Sequence, residues 1–297
     1  IKRIYIGTIV NRDLDVFEEI RKFLHKFYNI VCIDLIKKGS NHFDERYFEK
    51  KLRKYPISLL IVKLTTHPQN HIIYQSIAKH APQIPLLNSL NSIQTCENRT
   101  ETFRIIQTSN KNLLVPRSYF NLSEAKLALQ SGIELIIKLN QHNIPNFPKD
   151  KRIIGIVKDE NHLMELVKQH KNESLFFQEF LGNHDIVYKV YVIGQWLVSI
   201  TSHNRLNVNL THLDLIHIRV PIEKNFKRRL IRVGRKLGMT IYGIDYVQTE
   251  KGPYIVDIND FPSFKSIPES ISLIADHIYN MLSTEETYAD LKVKIKS

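Results

Sequence analysis

The stretch Ile241-Tyr-Gly-Ile-Asp-Tyr-Val-Gln-Thr-Glu-Lys-Gly-Pro-Tyr-Ile-Val-Asp-Ile-Asn-Asp-Phe-Pro-Ser263 decides how this chain folds and what it can hold. Two apolar-rich runs flank Glu250-Lys251-Gly252, a turn signal between strands. In an antiparallel pair the numbers of facing residues have a constant sum, so a turn centred on Lys251 sets Asp245 opposite Asp257. Asn259 lies two residues further along the same strand, which puts all three side chains on one face. Two carboxylates and an amide oxygen among Ile, Val and Tyr call for a compensating cation. Hard oxygen ligands suit Mg²⁺, which takes one or two carboxylates and leaves its other positions to water and nucleotide phosphate. The same spacing also fits a half-exposed hairpin with polar residues on its wet side.

Around this hairpin the last part of the chain is sheet-rich, with strands over 186–193 and 195–201, a basic helix over 224–238 and a closing helix over 268–282. Before it lies an α+β unit: a strand over 115–120, a helix over 123–130, strands over 134–140 and 152–157, a helix over 161–170 and a strand over 174–180. Its helices begin at Ser123 and Asn161, both good N-cap residues. Between Lys138 and Arg152 runs the polar segment Gln141-His-Asn-Ile-Pro-Asn-Phe-Pro-Lys-Asp-Lys151, which reads as a mobile loop. A helix over 99–108 precedes the unit. The first ninety residues alternate: strands over 2–10, 30–36, 57–64 and 84–87, and helices over 14–28, 44–54 and 71–80. That order implies a small doubly wound parallel sheet. It contains neither G-x-G-x-x-G nor G-x-x-x-x-G-K-S/T, so both common phosphate-cradling glycine loops are absent from it.

Composition narrows the function classes. With 297 residues and 43% hydrophobic content the chain suits two or three globular domains. It has no run of about 18 apolar residues, so no membrane insertion is expected, and the first residues are too short and strand-like for a signal peptide. Cys32 and Cys96 show no metal or redox spacing and read as buried thiols of a cytoplasmic protein. The formal charge of +12, from 42 basic and 30 acidic residues, favours an anionic partner. The basic residues are dispersed and not flanked by aromatics, which argues against nucleic acid. In the densest cluster, over 224–238, Phe226, Leu230, Val233 and Leu237 form a core stripe and the charges line the other faces as a solvated surface.

Several further residues bear on chemistry. Lys138 ends the apolar run Ile133-Glu-Leu-Ile-Ile-Lys138. It can pair with nucleotide phosphates or be a strand-end lysine reaching solvent. Ser174-Leu-Phe-Phe-Gln-Glu-Phe-Leu181 can offer its backbone to an adenine edge, with Phe176, Phe177 or Phe180 packed on the ring, or be an ordinary core strand. Tyr188-Lys189-Val190 sets a cation within a strand nearby.

Taken together, Gln178-Glu-Phe-Leu-Gly-Asn-His-Asp-Ile-Val-Tyr-Lys-Val-Tyr-Val-Ile-Gly194, Asn98-Arg-Thr-Glu-Thr-Phe103, Tyr242-Gly-Ile-Asp245 and Val256-Asp-Ile-Asn-Asp-Phe-Pro262 resemble the ATP-grasp superfamily. Within it they are most similar to the inositol 1,3,4-trisphosphate 5/6-kinases, which are also inositol 3,4,5,6-tetrakisphosphate 1-kinases. The resemblance follows most of the chain in order and is weakest over the first ninety residues. It implies an α/β and α+β protein of ATP-grasp fold, with an N-terminal doubly wound parallel-sheet domain (1–92, substrate side). Two α+β lobes then clamp ATP: a central lobe (111–178) and a C-terminal lobe with the metal site (93–110 plus 179–297).

The activity implied is transfer of the γ-phosphoryl of ATP to a ring hydroxyl of inositol 1,3,4-trisphosphate or inositol 3,4,5,6-tetrakisphosphate by a monomer, with two Mg²⁺ ions. By resemblance, Arg99 and Lys138 contact ATP phosphates. Gln178, Glu179, Phe180, Leu181 and Asp185 line the adenine and ribose site, with either Asn204 or Ser202 beside the nucleotide. Lys189 reaches from that site towards the inositol phosphate. Asp245, Asp257 and Asn259 hold Mg²⁺, and Asp245 and Lys189 act in catalysis. Arg12, His142, Lys149, Lys151, Asn259, Ser263 and Lys265 are the candidates for substrate contacts. Two departures stand out. The loop after Lys138 lacks the family's glycine, leaving His142, Lys149, Lys151 and Arg152 as alternatives for one role, and Ser263 stands where the family favours glycine. The competing readings are an ATP-grasp carboxylate–amine ligase working through an acyl phosphate, and a non-catalytic basic binding module. Holding two polyanions at once accounts for a net basic chain.

Overall fold

The computed structural model describes residues 3–37, 43–109, 113–204, 206 and 216–296. The N-terminal segment runs β1 (Ile4–Val10), α1 (Leu14–Tyr28), β2 (Ile30–Asp34), α2 (Glu45–Lys54), β3 (Ile57–Lys63), α3 (Asn70–His80) and β4 (Leu86–Leu87). Its four strands are all parallel, in the order β2-β1-β3-β4. The continuous apolar runs of β1 and β3 are explained by burial on both faces. Ile6, Leu59 and Ile61 pack with Phe17, Ile20 and Leu24 of α1, while Ile9, Leu60 and Val62 pack with Phe48 and Ile77 of α2 and α3.

Two helices follow, α4 (Leu90–Cys96) and α5 (Arg99–Ser109). The first was not legible in the sequence, because seven residues give no periodic stripe. Its start is fixed by Ser89, whose hydroxyl accepts from the Ser92 N–H.

The central lobe comprises β5 (Ser118–Tyr119), α6 (Leu122–Gln130), β6 (Leu135–Leu139), a 3-10 turn (Lys149–Arg152), β7 (Ile153–Val157), α7 (Glu160–Gln169) and β8 (Leu175–Glu179). The strands form an antiparallel sheet, β5-β8-β6-β7. Ala125, Ala128, Leu129 and Leu163 of the two helices cover one face. The helix caps correct the sequence reading: they are Asn121 and Asp159, two residues earlier than Ser123 and Asn161. An N-cap carboxylate or amide must reach the N–H of the third helical residue, and these two accept from Glu124 and His162.

The C-terminal lobe holds β9 (Ile186–Ile193), β10 (Trp196–His203), β11 (Arg219–Val220), α8 (Lys224–Leu237), β12 (Ile241–Thr249), β13 (Gly252–Asp260) and α9 (Ser270–Lys296), which runs well past the expected end at 282. Its antiparallel sheet has the order β11-β10-β9-β12-β13. The apolar stripe of α8 packs on Val192, Tyr242, Ile244, Tyr246 and Ile258, as its spacing predicts. On the other sheet face Tyr191, Ile193, Ile200 and Ile241 meet α1 and α9.

Buried polar side chains bolt the N-terminal sheet to the end of β13. Arg12 donates to the carbonyls of Leu64, Phe261 and Asp260 at 2.9–3.0 Å. Lys63 Nζ lies 2.6 Å from the Phe261 carbonyl and 2.8 Å from Asp13. Asn88 donates to Ile241 O and Asp260 and accepts from Thr240 N and Ile241 N. Both cysteines are buried free thiols. Among the described residues no helix is long and apolar enough to cross a membrane.

Candidate active site

The hairpin register is the foundation of the site. Asp245 faces Asp257 and Gly243 faces Asn259, as the spacing predicts. The reason is subtler than a turn centred on Lys251. The loop is the two-residue Glu250-Lys251, since Thr249 pairs with Gly252, and the ladder slips by one residue between Asp245 and Tyr246. That bulge is what brings Asp245 and Asp257 level. Without it Asp257 would face Ile244, on the opposite side of the sheet. On the other flank β9 sets Lys189 opposite Asp245. One row across three strands therefore reads Lys189, Asp245, Asp257, and the next reads Tyr191, Gly243, Asn259.

Helix α5 closes this row from below. The Arg99 N–H donates to Asn140 O, which fixes the helix start against the end of β6. Its buried guanidinium grips Asp257 with two bonds, Nε to Oδ1 at 3.2 Å and Nη2 to Oδ2 at 3.0 Å. Nη1 donates to the carbonyls of Leu139 and Gln141. Burial is the largest single influence and works to raise the Asp257 pKa, but the charge and hydrogen bonds of Arg99, joined by the neighbouring His142 and Lys138, together hold the carboxyl well below the usual carboxylate range. Lys138 donates to Gln178 Oε1 at 2.8 Å and Val256 O at 3.0 Å, and burial pulls its pKa down to about 8. His142 is wholly buried, and burial lowers its pKa to about 3, so it is neutral. Its Nδ1 is 2.9 Å from Asn259 Oδ1. In the Nδ1–H tautomer it donates there and aims the amide oxygen's other lone pair elsewhere.

Two cavities meet over this row. The first, about 130 Å³, has apolar walls from Ile136, Phe180, Val187, Val247 and Val256, with Lys138 and Gln178 at its base. The second, about 250 Å³, is bounded by Arg12, Asp13, Thr65, residues 143–146, Asn259 and Ser263. Arg99, Arg152, Lys189, Asp245 and Asp257 belong to both.

The structure thus brings together most of the residues singled out in the sequence. Lys138, Gln178, Glu179, Phe180, Leu181 and Asn204 line the first cavity; Ser202 does not, which separates the two alternatives. Of the three phenylalanines only Phe180 faces it, for Phe176 is packed on Phe103 and Phe177 lies in the central core. The Glu179 and Phe180 N–H groups are already bonded to Arg117 O and Glu134 O, so an adenine edge would meet the backbone beyond them, at Leu181.

Other expectations need correcting. Asp185 is exposed and lines neither cavity; its carbonyl accepts from Asn204 N–H. His142 lies beneath Asn259 instead of facing a substrate. Lys265 is exposed and paired with Asp15 at 2.8 Å, away from both cavities. Lys151 is exposed and lines neither, and the Lys149 side chain lies outside the described residues. Arg12 lines the second cavity, but its guanidinium is occupied by the domain bolt. Ser263 needs no glycine, because the left-handed residues beside it are Phe261 and Phe264. The loop after β6 needs none either, since Asn143 and Asn146 take the positive φ angles that asparagine tolerates. Asp13 and Thr65 also line the second cavity, and neither had a signal in the sequence. Their neighbours there are remote in the chain.

Comparison with known proteins fits this geometry. No family model matches the chain. In sequence it is similar to inositol-tetrakisphosphate 1-kinase 2 of Oryza sativa subsp. indica, at 21% identity over 267 residues, covering 77% of this chain and 74% of that protein. Inositol-tetrakisphosphate 1-kinase of Danio rerio is 20% identical over 276 residues, covering 76% and 68%. Among solved structures it superposes on a Chryseobacterium gregarium RiPP-associated ATP-grasp ligase in complex with ADP, with a TM-score of 0.66, 11% identity and coverage of 96% and 97%. D-alanine–D-alanine ligase from Bacillus anthracis, complexed with ATP, gives a TM-score of 0.64 at 15% identity, covering 99% of each chain. The chain has the ATP-grasp fold, and its sequence is similar to that of the inositol-tetrakisphosphate 1-kinases.

Proposed function

We propose that this protein transfers the γ-phosphoryl group of ATP to a ring hydroxyl of an inositol polyphosphate, inositol 1,3,4-trisphosphate or inositol 3,4,5,6-tetrakisphosphate. The observation that carries this reading is the row Lys189, Asp245, Asp257 in the wall shared by an apolar-walled cavity and a polar one. Adenine suits the first cavity, and Lys138 at its base faces the phosphates. The polar cavity takes the acceptor. Lys189 has no side-chain partner among the described residues and stands at the junction, available to an anion.

The donor set fits Mg²⁺. Asp257 keeps its negative charge, and each of its oxygens retains a lone pair beyond its bond to Arg99. Asn259 Oδ1 likewise keeps one beyond His142, and Asp245 completes the set. We assign two such ions to Asp245, Asp257 and Asn259. When bound they would neutralise charge on the triphosphate. In the transfer the acceptor oxygen bonds to the γ-phosphorus as the bond to the β,γ-bridging oxygen breaks. The electron pair leaves with ADP, and the hydroxyl proton passes to Asp245. Lys189 offsets charge on the phosphoryl oxygens throughout.

The test is an ATP/Mg²⁺ assay against a panel of inositol tris- and tetrakisphosphates, resolved by charge. A product with one more phosphate supports the reading; none, with ATP binding intact, overturns it. One observation favours a second reading. Arg12 and Arg99, two of the four cations on the polar cavity, are already bonded to the protein, which leaves fewer to hold several phosphates. A carboxylate–amine ligase needs fewer. Amino-acid-dependent release of phosphate from ATP, with no turnover of inositol phosphates, would favour it.

A further inference from the structure

His142, Lys149, Lys151 and Arg152 are alternatives for one substrate contact, and the geometry separates the three whose side chains are described. His142 is buried, lines neither cavity, and has its Nδ1 2.9 Å from Asn259 Oδ1. Lys151 is exposed and lines neither cavity. Arg152 lines both. It closes the 3-10 turn Lys149–Arg152 directly before Ile153, and Ile153 pairs with Lys138 across β6 and β7. The arginine is therefore held at the strand entrance, one residue from the register partner of the lysine at the base of the nucleotide cavity.

Of the three cations in the shared wall, Arg99 is occupied by Asp257 and two carbonyls. Lys189 stands on the C-terminal lobe. Arg152 is the one charged side chain that the central lobe brings to the polar cavity among the described residues. The two cations thus reach the junction from opposite lobes. A guanidinium offers a planar fork that fits two oxygens of one phosphoryl group, which an ammonium cannot do.

Building on the function proposed above, we infer that Arg152 is a catalytic residue that clasps the γ-phosphoryl group in flight, donating to its equatorial oxygens while Lys189 approaches from the other lobe. No proton moves at Arg152. It stabilises the charge that builds as the bond to the acceptor oxygen forms and the bond to the β,γ-bridging oxygen breaks. Such a contact acts mainly on kcat, since it strengthens as the group leaves ADP.

The experiment compares the full chain with R152A and R152K in three readouts: ATP affinity, transfer to inositol phosphates, and slow ATP hydrolysis without acceptor. The expected result for R152A is a kcat lower by about a hundredfold with ATP affinity within about threefold, partial rescue by added guanidinium, and little recovery in R152K. A merely structural arginine would not give guanidinium rescue. If R152A fails to fold, R152Q takes its place. Transfer within about threefold of the wild type, or a loss seen only as weaker ATP binding, overturns the assignment. Should the wild type make no inositol phosphate product, the kinase reading itself falls. Arg152 is then decided by ATP hydrolysis, where a hundredfold loss upholds the clasp and an unchanged rate removes it.

Discussion

Asp257 shows why the choice of substitution matters at this site. Both its oxygens are bonded to the buried guanidinium of Arg99. An alanine would remove the proposed metal ligand and strand a buried cation, at a cost of about 3–5 kcal/mol. Asp257→Asn keeps the shape and one acceptor for Arg99. We predict that both variants lose transfer by at least about a hundredfold, whereas urea unfolding separates them, with Asp257→Ala the less stable by roughly 2 kcal/mol or more. Equal midpoints would show that the Arg99 pair contributes little to folding, and transfer surviving in Asp257→Asn would remove the aspartate from the metal site. Lys189 makes a complementary case. It touches both cavities and has no partner of its own among the described residues. Lys189→Ala should leave the fold intact and weaken inositol phosphate binding about tenfold more than ATP binding in calorimetry, by loss of a charge-assisted contact. An equal loss for both ligands would put that lysine at the nucleotide.

At the scale of elements, periodicity made most of the chain legible. α1 was expected over the residues it occupies, and β9 likewise, because each pairs a clear apolar pattern with a sharp boundary, Asn29 closing the helix in the left-handed conformation. What escaped was whatever depends on a partner element. The bulge at Asp245 and Tyr246 leaves no trace in composition, yet it decides which face Asp257 occupies. Helix α8 illustrates the same limit. Its stripe predicted the buried face but not the reason for Gly234 within it. A Cβ there would lie 2.2 Å from the Tyr242 ring, which is buried and fixed by a 3.0 Å bond to the Leu230 carbonyl. Helix propensity alone favours alanine by about 1 kcal/mol. The clash reverses the sign, and overpacking of this kind costs about 1–3 kcal/mol net. Gly234→Ala should therefore lower the thermal midpoint, and a raised midpoint would show that Tyr242 can move aside.

At the scale of the whole molecule, the N-terminal sheet is held to the hairpin of β12 and β13 by groups that no local pattern could reveal. Lys63 ends an apolar strand much as Lys138 does, and it too is buried, against the carbonyl of Phe261 and the carboxylate of Asp13, which lines the polar cavity. Burial pulls its pKa down to about 7, against the neighbouring charge of Asp13. The consequence for stability has a definite sign. Between about pH 7 and the ordinary lysine range near 10.4 the unfolded chain binds the proton that the folded chain has released, so stability rises with pH through that window by up to about 1.4 kcal/mol per unit and falls as pH is lowered through it. Lys63→Met removes the titrating group and should flatten that slope. It should also take from Asp13 its nearer cation and from the Phe261 carbonyl one of its two donors, Arg12 remaining on both, at a cost of about 1–3 kcal/mol near neutral pH. Urea unfolding of both proteins at pH 7, 8 and 9 measures the two effects separately. A wild-type stability that does not rise over this range would mean that Lys63 keeps its proton in the fold and that Asp13 outweighs burial. In that case the bolt is an ion pair throughout the range, and Asp13→Asn would be the more damaging change.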